Sequence, residues 1–230
     1  MKKQALTFIL LALSITSFCQ SNIPRDLKSF TDQFRYEEIR TNTENRANYN
    51  FIKGSPFLNK EFSEGEVTMN DSIKFQGVPL RYNIHSDKME FMTENNLILE
   101  VDNTTASYIF NVGDKIFKNK SYHQNNQEKT GILQLLVDGK FKLYKKYTVD
   151  FEAATEAKGF QESEPNRFER KKDQYFISLP NKIPELITRK KDLIRVLEPE
   201  KPEIKKFIKD ERIKTRSEED LIKLIQHCNK

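Results

Sequence analysis

From Gly54 to about Phe151 apolar and polar residues alternate with a period of two, and turn residues recur at short intervals. In "EVTMNDSIKF" the turn Asn70–Ser72 sets Val67 and Met69 opposite Phe75 and Ile73. The Gly-Asp pair in "YIFNVGDKIF" and the Asp-Gly pair in "LQLLVDGKFKLY" read as two-residue hairpin turns. Asn103 and Thr104 separate two further apolar runs, and other turns fall near Asp87 and Asn95. Turns this frequent predict consecutive antiparallel strands, hence a meander that curls into a barrel or folds into two sheets. Residues 152–173 have few apolar positions and no period, and read as a long surface loop before a last strand, "QYFISL", Gln174 to Leu179.

Beyond Pro180 the period becomes helical. Leu193, Ile194 and Leu197 share one face; Ile204, Phe207 and Ile208 form a second stripe after Pro202. Leu221, Leu224 and Ile225 form a third, after Ser217, which stands three residues before Asp220 as a cap. Helices this short are not stable alone and must pack on each other or on the sheet. Near the start, Leu27, Phe30 and Phe34 have helical spacing. The predicted class is α+β, mainly β: an antiparallel meander, curled or barrel-like, with a C-terminal bundle of short helices. Its parts are an N-terminal arm or short helix over 20–53, a β domain over 54–179 with the loop near 152–173, and a helical appendage over 180–230.

One stretch concentrates polar groups. "FQGVPLRYNIHSDKMEF" holds Arg81, His85, Asp87 and Glu90 within a single hairpin. With Ser86-Asp87 as the turn, Ile84 faces Met89 and Tyr82 faces Phe91 on an apolar face, while His85 faces Lys88 and Asn83 faces Glu90 on a wet one. Pro79 lacks an N–H and marks an edge or a bulge. Alternation alone then accounts for the polar cluster, and Arg81→Ala is expected to alter stability little, whereas Ile84→Ala costs about 2–4 kcal/mol.

The first residues change the picture. Lys2 and Lys3 precede an apolar run, Ala5 to Phe18, of signal-peptide length and too short for a membrane span. Ser17 and Cys19 supply the small residues of a cleavage site. Residues 1–19 are therefore predicted to be a signal peptide and the protein exported, periplasmic or extracellular, with no transmembrane segment after cleavage. Acylation of Cys19, as in an outer-membrane lipoprotein, fits less well because Phe18 stands where a small residue is needed. Without residues 1–19 the chain keeps one thiol, Cys228, so an intramolecular disulfide is excluded. The formal charge of +5 falls by two with Lys2 and Lys3, and acids and bases interleave throughout, which argues against nucleic acid as a partner. The predicted partner is a protein or an envelope component of unknown identity.

Candidate chemistry is sparse. The three histidines, His85, His123 and His227, form no i,i+4 pair, and there is no CxxC or HExxH, so no metal is predicted. GxSxG is absent, and the letters "HSD" at 85–87 alternate across a strand and cannot relay a proton. The carboxylates Glu61, Glu64, Glu66, Asp87, Glu90 and Glu94 read as solvated strand faces in a chain that is 32% charged. The seven glycines form no phosphate-binding loop, and no cofactor is predicted. Among Tyr82, Tyr108, Tyr122, Tyr144 and Tyr147, a phenol offers contact area with a polar tip, although strands also favour it in half-buried positions. The candidate ligand- or partner-binding residues are Arg81, Tyr82, His85, Tyr108 and Tyr144; no catalytic residue is predicted.

The order "GSPFLNKEF", "GEV", "GVPLRYNIHSDKMEF", "RFERKKDQYFI" and "KKDLIRVL…KPEIKKFIK…SEEDLIKLI" resembles that of exported β-rich proteins of Bacteroidetes-type bacteria with no assigned activity. The resemblance implies an exported β-rich body with a helical C-terminus, and it carries no functional residue over. The expected function is a non-catalytic binding or interaction module. The alternative is a small-ligand carrier, which needs a cavity of about 300 Å³ or more inside the curled sheet.

Overall fold

The computed structural model describes residues 24–34, 49, 52–101, 106–155 and 163–230. The signal segment, the Asn103–Thr104 turn and the side chain of Phe34 lie outside them. In chain order the elements are α1 (Leu27–Phe34), β1 (Ser63–Met69), β2 (Ile73–Asn83), β3 (Lys88–Met92), β4 (Ile98–Glu100), β5 (Tyr108–Val112), β6 (Lys115–Gln124) and β7 (Gln127–Val137). There follow β8 (Lys142–Lys146), β9 (Val149–Glu152), β10 (Arg167–Arg170), β11 (Gln174–Ser178), β12 (Glu185–Ile187), α2 (Lys190–Leu197), α3 (Ile204–Asp210) and α4 (Glu218–Cys228). The protein is α+β, mainly β, and barrel-like.

Ten strands form one sheet in the order β12-β11-β8-β7-β6-β5-β1-β2-β3-β4. The sheet rolls up at one end. β12 returns to pair in parallel with β6 at Glu185 and His123, where the His123 amide donates to the Pro184 carbonyl at 2.8 Å. That contact closes β6, β7, β8, β11 and β12 into a five-stranded barrel. The remaining strands curl the other way into a larger roll, and its β2–β3 tip comes back to touch β7 at Ile132.

β6 and β7 are the shared wall, and β7 shows why. Gly131 to Leu135 are five consecutive buried positions, the mark of a strand covered on both faces. Leu133 and Leu135 point into the barrel with Tyr122, Tyr144, Phe176 and Leu186. Ile132 points into the larger roll with Phe75, Leu80, Met89, Phe91, Phe110 and Phe117. Phe30 of α1 joins this second core, its ring 5.0 Å from Phe75 and 4.8 Å from Phe91.

A third core lies on the outside of the barrel. Leu143, Tyr175, Ile177 and Ile187 point outward and are covered by Leu193, Val196 and Leu197 of α2, Ile204 and Ile208 of α3, and Leu221, Leu224 and Ile225 of α4. The three amphipathic helices fall where the periodicity places them. Ser217 accepts the Asp220 amide at 3.2 Å, as its spacing predicts.

Several expectations are corrected. The β2–β3 register pairs Leu80 with Phe91, Arg81 with Glu90, Tyr82 with Met89 and Asn83 with Lys88, two residues out from the predicted pairing. The turn is four residues, Ile84 to Asp87, with Asp87 at φ +56°. An even slip keeps the side-chain parity, so the apolar face is unchanged. Pro79 sits opposite Glu64, beside a bulge between Gly65 and Val67. The Asp138-Gly139 turn is wider than two residues, because Val137 pairs with Leu143. Asn229, just past α4, props that loop open: its carboxamide accepts the Phe141 amide at 2.8 Å and donates to the Phe141 carbonyl at 2.9 Å. Residues 152–173 are not a plain loop, since β9 and β10 pair as a separate two-stranded ribbon. Nor is β11 the last strand, because β12 follows it.

Candidate partner-binding surface and its polar supports

The β2–β3 hairpin carries two polar clusters, one on each face. The first is centred on Asp87, at the tip. Its carboxylate accepts the Tyr82 hydroxyl at 2.7 Å and the Ile132 amide at 3.3 Å, and pairs with Lys146 Nζ of β8 at 2.8 Å. The carboxylate fits because residue 131 is glycine: a Cβ there would collide with Asp87 Oδ2. The tip of the larger roll is thereby fastened to the mouth of the barrel. Burial, and then the Asp87 charge, push the Tyr82 phenol well above its ordinary range. The same two causes, in the same order, push Tyr122 up to about 12.

The second cluster is on the face expected to be wet. Glu90 is only 5% exposed and Asn83 only 1%. Glu90 accepts Arg81 Nε at 3.1 Å and Nη2 at 2.5 Å, and its other oxygen accepts Asn83 Nδ2 at 2.9 Å. Asn83 Oδ1 in turn accepts the Ser86 amide at 3.1 Å, which ties the cluster to the turn. Arg81 also donates to the Lys60 carbonyl at 2.9 Å. The face is dry because the chain before β1 continues along β2, with Phe57 bridged to Asn83. This brings the Phe57 and Phe62 rings to 3.7 and 4.3 Å from the guanidinium carbon. The reading of Asn83 and Glu90 as solvated is corrected, and with it the expectation that Arg81→Ala is mild.

The five candidate residues therefore separate. Arg81 and Tyr82 meet at a narrow cavity of about 230 Å³ between β2 and the β5–β6 turn, with Leu80, Val112 and Phe117 in its wall. Tyr108 is buried in the larger roll and Tyr144 inside the barrel, where it is 1% exposed. His85 is exposed and lies elsewhere. Its ring is 5.1 Å from Phe168 of β10 and 6.3 Å from Phe151 of β9. Phe151 is 43% exposed, and its ring is 5.5 Å from Phe168, whose other neighbour is Tyr49 at 5.4 Å. Around this aromatic face the ribbon carries a ladder of exposed charges, including Arg167 with Glu152 at 2.6 Å and Lys171 with Glu169.

Sequence reasoning missed Phe151, Phe168 and Lys146. A signal for Phe151 was present: "VDFE" alternates, and places Phe151 on the same parity as Val149. Nothing local pointed to its meeting His85, because the two are brought together only by the ribbon folding back over the hairpin tip.

Among the described residues, no group of three or more His, Cys, Asp or Glu side chains is placed to hold a metal ion. No helix among them is long and apolar enough to cross a membrane. No family model, curated protein or solved structure matches the chain.

Proposed function

We propose that the protein is an exported, non-catalytic binding module that engages a protein or envelope component through the aromatic face of the β9–β10 ribbon. The observation that carries this reading is the contrast between filled interiors and an open aromatic face. Leu133, Tyr144 and Phe176 fill the barrel at 0–1% exposure, and the cavity beside Tyr82 is smaller than an ordinary ligand site of about 300 Å³ or more. An enclosed carrier has no room there. Phe151 and His85, by contrast, offer rigid ring area with a polar handle, the composition that anchors interfaces. The Asp87 and Arg81 clusters fix the β2–β3 hairpin whose turn carries His85.

The test is site-specific photo-crosslinking in the native envelope. A photoreactive residue in place of Phe151 is expected to give a discrete adduct. The same residue in place of Leu97, which is 46% exposed elsewhere, is expected to give none. Equal, diffuse labelling at both positions, or none at either, overturns the reading. Mass spectrometry of the purified protein tests export: a chain beginning at Gln20 is expected, and an intact N-terminus refutes it.

A further inference from the structure

The two edges of the β9–β10 ribbon differ. On the β10 side the chain before β1 runs alongside: Lys53 bridges Arg167, its amide donates to the Asn166 carbonyl at 3.1 Å, and the Phe168 amide donates to the Lys53 carbonyl at 2.8 Å. On the β9 side no further strand follows among the described residues, because the ribbon is a sheet of two. The register decides which backbone groups this leaves outside. Opposed residues of an antiparallel pair alternate between those that bond each other and those that turn their amides and carbonyls away. Phe168 gives its amide to Lys53, so the pair of Phe168 with Phe151 is of the second kind, and Phe151 presents its own N–H and C=O to the open edge. The Lys171 amide, which donates to the Thr148 carbonyl at 3.0 Å, fixes the same alternation three residues along. Asp150, Phe151, Ala153, Ala154 and Thr155 are all exposed. An open edge of this kind is a template for one more strand.

The side chains select among the strands that could add there. Phe151 stands on one face of the ribbon, with Phe168 and His85. Asp150 and Glu152 stand on the other, by alternation. Lys171 is shared by three carboxylates, at 3.8 Å from Asp150, 3.5 Å from Glu152, and in contact with Glu169. Arg167 holds Glu152 at 2.6 Å and Glu164 at 3.6 Å. Lys53 adds a third cation, but at the far edge, beyond Arg167. The excess of negative charge therefore falls on β9. Among the described residues Asp150, with its side chain 59% exposed, has only its share of Lys171. A second copy of this chain fits poorly, because β9 paired with itself sets Asp150 and Glu152 against the same carboxylates.

We propose that the partner adds an extended segment to the open edge of β9, its residues alternating between basic and apolar. This rests on the ribbon being the docking surface and supplies the chemistry of what docks. The main chain of the segment bonds to Phe151. Its apolar side chains lie beside Phe151 and His85, and its lysines or arginines beside Asp150 and Glu152.

NMR of the purified protein titrated with the peptide Ac-TKVRVKT-NH2 tests it. Saturable binding is expected, with solvent exchange of the Phe151 amide slowed at least about tenfold in the complex. Two controls are each expected to bind at least about tenfold more weakly: Ac-TEVEVET-NH2, and the basic peptide methylated at each central backbone nitrogen. Asp150→Lys combined with Glu152→Lys, checked for an unchanged thermal midpoint, is expected to reverse the preference between the two charged peptides. The methylated peptide tests the unaltered protein and does not depend on that variant folding. No saturable binding, equal binding of the acidic or the methylated peptide, or binding that leaves Phe151 amide exchange unchanged overturns the proposal. If the photo-crosslink at Phe151 still gives its discrete adduct in that case, the ribbon surface stands and only the added strand falls; loss of the adduct removes both.

Discussion

The β2–β3 and β6–β7 hairpins end in tips of similar polarity, "NIHSDK" and "HQNNQE", and meet opposite fates. At the β6–β7 tip Gln124 pairs with Gln127, and Asn125 and Asn126 turn the chain at φ +52° and +62°. This is the two-residue turn whose twist suits a hairpin, and it stands in water. At the β2–β3 tip the polar groups are enclosed: Asn83 and Glu90 beneath Phe57 and Phe62, Asp87 against Gly131. Composition does not separate the two tips. What separates them is whether another part of the chain covers them, and in the β2–β3 case the covering groups come from residues 56–62 and from β7 and β8.

The largest expected effect follows from Arg81. Its truncation leaves Glu90 buried without its cation, a loss of about 3–5 kcal/mol. Ile84→Ala, a cavity at a position 6% exposed, is expected to cost about 2–4 kcal/mol. Denaturant midpoints of the two variants decide the matter; a mild Arg81→Ala would mean that the face is wet after all. Next is Gly131→Ala, which drives a methyl group into the seat of Asp87 and is expected to cost about 1–3 kcal/mol. In Asp87→Ala the seat is already empty, so the two changes together should cost less than their sum. Simple additivity would show that the carboxylate does not sit there.

Side-chain parity was legible in the sequence; exposure was not. The turns at Asn70–Ser72 and Gly113–Asp114 have the predicted pairings, Val67 with Phe75, Met69 with Ile73, and Val112 with Lys115. These depend on neighbours in the chain. The Asp-Gly loop departs from its local preference because Asn229, ninety positions on, holds it open. The Asn125–Asn126 turn was overlooked although its residue types fit, because its polar flanks, from Ser121 to Thr130, break the apolar alternation that marks a strand. The run "GILQLLV" departs from the alternation expected over 54–151, as a strand covered on both faces does, and only the closure of the barrel shows which residue faces which core. For the candidate surface, the polarity of the turn that carries His85 was readable, whereas its aromatic neighbours were too far along the chain.

A smaller, pH-dependent difference separates the two tips. Unfolded tyrosines ionise at about 10. Tyr122, raised to about 12 by burial and by Asp87, keeps its proton longer in the native state. Across that window the unfolded chain binds fewer protons, so stability falls as pH rises from the lower value through the higher. Asp87→Asn removes the second cause and leaves burial, and is expected to lower the Tyr122 midpoint without returning it to 10. The pH dependence of the Tyr122 ring resonances in NMR spectra reads this residue by itself, where ultraviolet absorbance would sum all eight tyrosines. An unchanged Tyr122 midpoint in Asp87→Asn would detach Asp87 from this cluster.

The smallest expected effect is at the open tip. Asn126 holds φ +62° at an exposed position, a conformation that glycine adopts without strain. In Asn126→Gly the relief of that strain opposes the greater freedom glycine gives the unfolded chain, so the stability change should lie within about 0.5 kcal/mol of zero. Asp87 has a positive φ too, yet Asp87→Gly also removes the carboxylate that binds Tyr82, Ile132 and Lys146, and should cost several times more. Thermal midpoints of the two glycine variants, measured side by side, separate a turn that needs only its backbone angles from one that also needs its side chain. Equal midpoints would mean that the enclosed tip is held by its backbone alone.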